Sequence, residues 1–201
     1  MDLQKVLIEK VAASFDEGEE VFEEENVRIK VVKGTNGLYD VYYYTFWAHD
    51  EMGIMQVLQE ANIAPLLSGI WFSSEDEGVN GTQAWDLSRL LSDKQVFEHL
   101  KYLEFPLNNS KSHNCIIVTN DDDFDENGCL GHILDLMPQL EVLMVPSTPS
   151  ENFFQRATHP LRELTTQTSF DHQDFIKHLA SSDCFDKLEK LDFTDYSEVY
   201  V

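Results

Sequence analysis

Five times this chain writes one short pattern: an apolar residue, two variable residues, a second apolar residue, one variable residue and a third, usually apolar, residue. The copies are Leu67-x-x-Ile70-x-Phe72, Leu100-x-x-Leu103-x-Phe105, Leu140-x-x-Leu143-x-Val145, Leu161-x-x-Leu164-x-Thr166 and Leu188-x-x-Leu191-x-Phe193. A single copy is uninformative, because an amphipathic helix produces it too. Repetition changes that, because helix-like apolar clusters separate the copies. Trp85, Leu87, Leu90, Leu91 and Phe97 form one. Leu130, Ile133, Leu134 and Met137 form a second, and Phe170, Phe175, Ile176 and Leu179 a third. Strands separated by helical returns line up in parallel. The pattern therefore predicts Leu103, Leu143, Leu164 and Leu191 buried near the middles of neighbouring parallel strands.

The motif is that of a leucine-rich-repeat-like array of parallel strands with helical returns. Its copies are unevenly spaced, and no Asn is assigned to the ladder position that usually follows the last apolar residue. Residues 64–195 resemble bacterial leucine-rich-repeat proteins of uncharacterised function. The segments PLLSGIWFSSEDEG, ILDLMPQLEVLMV, HPLRELTTQTSF and SDCFDKLEKLDFTDY carry the resemblance. It implies a fold and no particular activity.

The first 60 residues match that group poorly. Leu3, Val6, Leu7 and Val11 keep a helical rhythm over residues 2–14. An acidic stretch, Asp16 to Glu25, reads as a solvated loop. Val27, Ile29 and Val31 then alternate with other residues, Asn36-Gly37 supplies a turn that tolerates positive φ, and Val41, Tyr43, Thr45 and Trp47 resume the alternation. Residues 52–62 read as a second helix. The expected fold is α/β, with a helix and antiparallel hairpin over residues 1–62 preceding the repeat-like region 63–201.

Charge narrows the function classes. The formal net charge of −23 repels phosphate, which argues against direct nucleic-acid binding and against anionic membranes. It favours a protein partner with a basic surface, as for an immunity or inhibitor protein. An alternative is a nucleic-acid mimic, and a third is an enzyme of unrecognised class. A mimic needs a continuous acidic stripe, whereas a repeat binder needs mixed polar and aromatic residues on its open sheet face. The candidate binding residues are the acidic loop runs Glu75, Asp76, Glu77 and Asp121, Asp122, Asp123, Asp125, Glu126, with the hairpin aromatics Tyr43 and Trp47. Tyr43 and Trp47 fall on one hairpin face, opposite Tyr42, Tyr44 and Phe46.

No catalytic motif stands out. Asp123-Phe124-Asp125-Glu126-Asn127-Gly128 matches the opening of a calcium loop, but Leu134 holds the twelfth position, where a bidentate Glu belongs. No calcium or other cofactor is expected. The seven His show no metal-binding spacing, and His172 and His178, six apart, are not expected to share a helix face. Cys115, Cys129 and Cys184 are far apart and read as free, buried thiols of a reducing cytoplasm. Neither a secretory signal nor a membrane-spanning apolar run is recognised.

Overall fold

The computed structural model describes residues 2–17, 27–46, 52–74, 83–92, 94–109, 115–119, 126–168 and 172–195. The first helix, α1 (Leu3–Glu17), starts where Asp2 Oδ1 accepts the Lys5 amide at 3.3 Å, an N-cap contact. Leu3, Leu7 and Val11, spaced by four, form its buried stripe. The hairpin follows as β1 (Val27–Lys33) and β2 (Tyr39–Thr45), paired antiparallel with Val31 opposite Val41. Its turn depends on Gly37, which has φ 85°, and on Asn36 Oδ1, which accepts the Leu38 amide at 3.0 Å. Helix α2 (Met52–Leu58) stops four residues earlier than the sequence suggests. There the chain turns instead, and the Ile63 and Ala64 amides bond to the Glu60 carbonyl.

The remaining elements are β3 (Leu67–Ser74), β4 (Gln83–Asp86), α3 (Ser88–Ser92), β5 (Tyr102–Glu104), β6 (Cys115–Val118), α4 (Cys129–Leu136), β7 (Val142–Val145), β8 (Glu163–Gln167), α5 (Phe175–Ala180) and β9 (Lys190–Thr194). Seven strands form one sheet in the order β1-β2-β3-β5-β7-β8-β9. Every pairing after the hairpin is parallel, including β2 with β3, so hairpin and later strands share one sheet.

The repeated pattern places its middle residue in strict register. Val41 lies beside Ile70, then Leu103, Leu143, Leu164 and Leu191 across successive strands. All but the last are fully buried, in one contiguous core with residues of all five helices. Leu191 departs from expectation. It keeps its register beside Leu164 but is 40% exposed, because β9 is the last strand of the sheet and no described element covers it.

The return segments also differ from the sequence reading. Trp85 lies in β4, not in a helix, and β4 pairs in parallel with β6 as a separate two-stranded sheet. Its ring packs against Phe72 and Phe105 at centroid distances of 5.5 and 5.6 Å. A short 3-10 turn, Glu151–Phe154, replaces a helix between β7 and β8.

Asn108 corrects a second expectation. It stands three residues after Phe105, at the ladder position thought empty, and it is buried. Its side chain bonds the Cys115 backbone in both directions, at 2.7 and 3.1 Å, while its own amide donates to Gln167 Oε1 at 2.7 Å. At the equivalent position of the next copy, Thr148 donates to the Gln167 carbonyl at 3.3 Å. Ser147 Oγ accepts the Ile117 amide at 2.7 Å. These buried polar groups tie the small sheet to the ends of β7 and β8, and each bond satisfies a group that would otherwise be costly to bury.

Candidate functional site

The other side of the seven-stranded sheet is open among the described residues. Parallel sheets are usually covered on both faces, so an open one is unusual. Alternation dictates what it displays: the variable positions of each copy point away from the core. One outer row runs Lys30, Tyr42, Trp71, Glu104, Met144, Thr165 and Asp192. The next runs Val32, Asp40, Gly69, Tyr102, Val142, Glu163 and Lys190. Residues of both rows are exposed or half-buried, apart from Gly69.

Three rings stack across this face. Tyr42 and Trp71 lie 4.7 Å apart at 13°, and Trp71 and Tyr102 5.8 Å apart at 21°. Gly69 makes the stack possible. A Cβ at this position would sit 2.2 Å from the Trp71 ring, so only glycine lets the indole lie across β3 toward Tyr102. Tyr42 is 38% exposed and Tyr102 37%. Partial burial raises the Tyr42 pKa, and the nearby Asp40 and Glu104 carboxylates raise it further. Asp40 is held by the Ser68 hydroxyl at 2.7 Å, beside an irregularity in the β2–β3 register. The cations of β1 cover the β2 rings: Arg28 sits 5.0 Å from the Tyr44 centroid, Lys30 5.6 Å from Tyr42 and Lys33 5.5 Å from Tyr39.

Toward β9 the face changes character. An ion pair, Lys190–Glu163 at 3.1 Å, replaces rings in the outer row, and just ahead of the strands lie Lys101–Glu141 at 2.5 Å and Arg162–Glu189 at 2.7 Å. Glu141, through a hydrogen bond and its charge, raises the Lys101 pKa.

Of the residues singled out from sequence, Trp47, Glu75, Asp76, Glu77, Asp121, Asp122, Asp123 and Asp125 lie outside the described residues. Tyr43 and Glu126 are not on a contact surface. Tyr43 has no exposed surface, because it points into the core, where its ring meets Phe72 edge-on at 6.1 Å. Glu126 is 1% exposed. One carboxylate oxygen accepts the Leu130 amide at 2.9 Å at the start of α4, and the other accepts the Ser150 amide at 2.8 Å. It therefore locks α4 to the following 3-10 turn. Trp71 and Tyr102 were overlooked, although the signal was present: each is an aromatic at an outward position of a repeat copy.

His172 and His178 converge after all. They line one open polar pocket with Glu151, Asn152 and Asp174, because His172 precedes α5 and helical spacing does not govern it. No group of three metal-ligating side chains suited to an ion occurs among the described residues. The three cysteines are free and buried, and burial raises the Cys184 pKa. No helix among the described residues is long and apolar enough to cross a membrane.

Comparison with protein-family models, curated proteins and solved structures finds no match.

Proposed function

We propose that this chain is a non-catalytic, acidic binding module of leucine-rich-repeat-like build, acting as an inhibitor or immunity-type protein on a partner with a basic surface. The observation that carries this reading is the open sheet face, where the stacked rings Tyr42, Trp71 and Tyr102 lie among the carboxylates Asp40 and Glu104. Large rings left half-exposed on a regular sheet add contact area at little entropic cost and are favoured anchors at interfaces. The chain's formal charge of −23 speeds encounter with a basic protein.

The in-register ladder Ile70, Leu103, Leu143, Leu164 and Leu191 and the buried Asn108 support the repeat-like architecture. The mixed aromatic and polar face favours a binder over a nucleic-acid mimic, whose carboxylates would run in an unbroken stripe. Free, buried cysteines suit a reducing compartment such as the cytoplasm.

The test is capture from a native extract at low and physiological salt, with wild type and a Trp71→Ser variant as paired baits. A basic protein retained by wild type, lost from the variant and weakened by salt supports the proposal. A partner held equally by both baits, or one that is acidic and insensitive to salt, refutes it.

A further inference from the structure

The ring stack has one closed end and one open end. At the closed end, Lys30 of β1 lies over Tyr42, as Arg28 lies over Tyr44. The chain thus supplies its own cation to the outward tyrosines of β2. Tyr102, at the other end, carries none among the described residues. Its sequence neighbour Lys101 is engaged by Glu141 at 2.5 Å.

Beside Tyr102 the register places Val142, whose short side chain leaves the ring unshielded on the β7 side, and beyond it Glu163. Along β5 stands Glu104, next to Met144 on β7. The Glu104 carboxylate makes no hydrogen bond or ion pair among the described residues, yet it lies near enough to the stack to raise the Tyr42 pKa. An aromatic face without a cation beside a carboxylate without a partner is a receptor for a flat cation. A guanidinium matches both: it stacks on the ring and offers paired N–H donors to the carboxylate, whereas an ammonium does only part of this.

We propose that Tyr102 and Glu104, at the open end of the Tyr42–Trp71–Tyr102 stack, receive an arginine side chain of the basic partner. The inference rests on the binding-module reading and specifies the chemistry of that contact. It also assigns the ion-paired half of the face, where Glu163 is already paired with Lys190, a lesser share of the recognition.

Calorimetry with a short arginine-rich peptide, and with the same peptide carrying lysine throughout, tests this on the full chain. Each variant is first checked by thermal melting. Tyr102→Ala and Glu104→Gln should each weaken the arginine peptide by about five- to tenfold, the scale of one partly desolvated cation–π or charge-assisted contact. Tyr102→Phe, which keeps the ring, and Glu189→Gln, which removes an equal charge from the ion-paired half, should each change affinity by about twofold or less. The lysine peptide should bind more weakly than the arginine peptide. If Tyr102→Ala and Glu104→Gln bind like wild type while affinity still falls with salt, diffuse charge does the binding. The arginine receptor is then wrong, and the acidic binding module stands. If the arginine peptide does not bind wild type even at low salt, the binding-module reading fails with it.

Discussion

On the inner side, the strands from β2 to β8 repeat one solution: a fully buried aliphatic residue in register with its neighbours. On the outer side the same strands divide. Over β2, β3 and β5 the face carries stacked rings, over β7 the half-buried Val142 and Met144, and over β8 and β9 the Lys190–Glu163 ion pair with Thr165 and Asp192. The two halves rest on equivalent inner ladders, so folding does not require the rings. Exposed ion pairs contribute little, about 0–1 kcal/mol each, and they keep the β7–β9 half soluble. Half-exposed rings keep apolar surface in water, which is characteristic of a surface that another molecule covers. The difference teaches that inner and outer residues of one strand answer to separate demands, and that function is to be sought where the outer pattern breaks from polar to aromatic.

Substitutions that separate these demands should rank in a definite order. Leu143→Ala, at the centre of the ladder, should cost about 2–5 kcal/mol in urea denaturation, whereas Leu191→Ala at the open end should cost about 1 kcal/mol or less, since its side chain is already partly in water. Equal costs would show that the ladder's end is as well packed as its middle. Next come the buried polar ties. Asn108→Ala strands the Cys115 N–H and carbonyl while keeping the Gln167 bonds, which go to the Asn108 backbone, and Glu126→Gln removes the charge that holds the Leu130 and Ser150 amides. Each should cost about 1–3 kcal/mol by the same denaturation. Tyr102→Ala should cost about 1 kcal/mol, the scale of one aromatic pair, so its effect on binding should outrun its effect on stability.

Acidification should produce a smaller change, traceable to one residue. Burial lowers the pKa of His159, whose Nε2 contacts the Met137 carbonyl while Nδ1 has no hydrogen-bond partner among the described residues. Below about pH 6.5, the ordinary histidine value, the unfolded chain therefore binds a proton that the folded chain resists. Its contribution to stability is complete above that pH and declines as pH falls below it. The melting temperature should drop between pH 7 and 5.5, and His159→Gln should flatten that slope. The smallest expected effect is none. Calcium at fixed ionic strength should leave the melting temperature unchanged, because Leu134 replaces the bidentate ligand and the Glu126 oxygens are already engaged.

The parallel strands were legible in the sequence because apolar spacing is set by which side of a strand faces the core, and every copy had to obey it. The hairpin was legible because Asn36-Gly37 is chemically suited to its turn. The small sheet was legible only in part: the apolar run 116–119 reads as a strand and overlaps β6, whereas Trp85 of β4 reads as part of a helical return. The pairing of Asn108 with Cys115 and Gln167 was hidden, since buried polar partners 59 residues apart leave no periodic trace. Glu126 misled because charge suggests exposure until the amides that fix it inside are seen. The ring stack was half legible: Tyr42 drew notice within a dense aromatic run, whereas Trp71 and Tyr102 each looked like an isolated residue until register brought them together.

Oxidative footprinting of the complex captured from native extract tests the division of labour most directly. Tyr42, Trp71 and Tyr102 report the aromatic half of the open face, and Ile176, 52% exposed on α5, reports the helical side. If the open face is the contact surface, partner binding suppresses oxidation at Trp71 and Tyr102 and leaves Ile176 as reactive as in the free protein. Unchanged oxidation of Trp71 and Tyr102, with protection appearing at Ile176, would place the partner on the helices and contradict the role assigned to the ring stack.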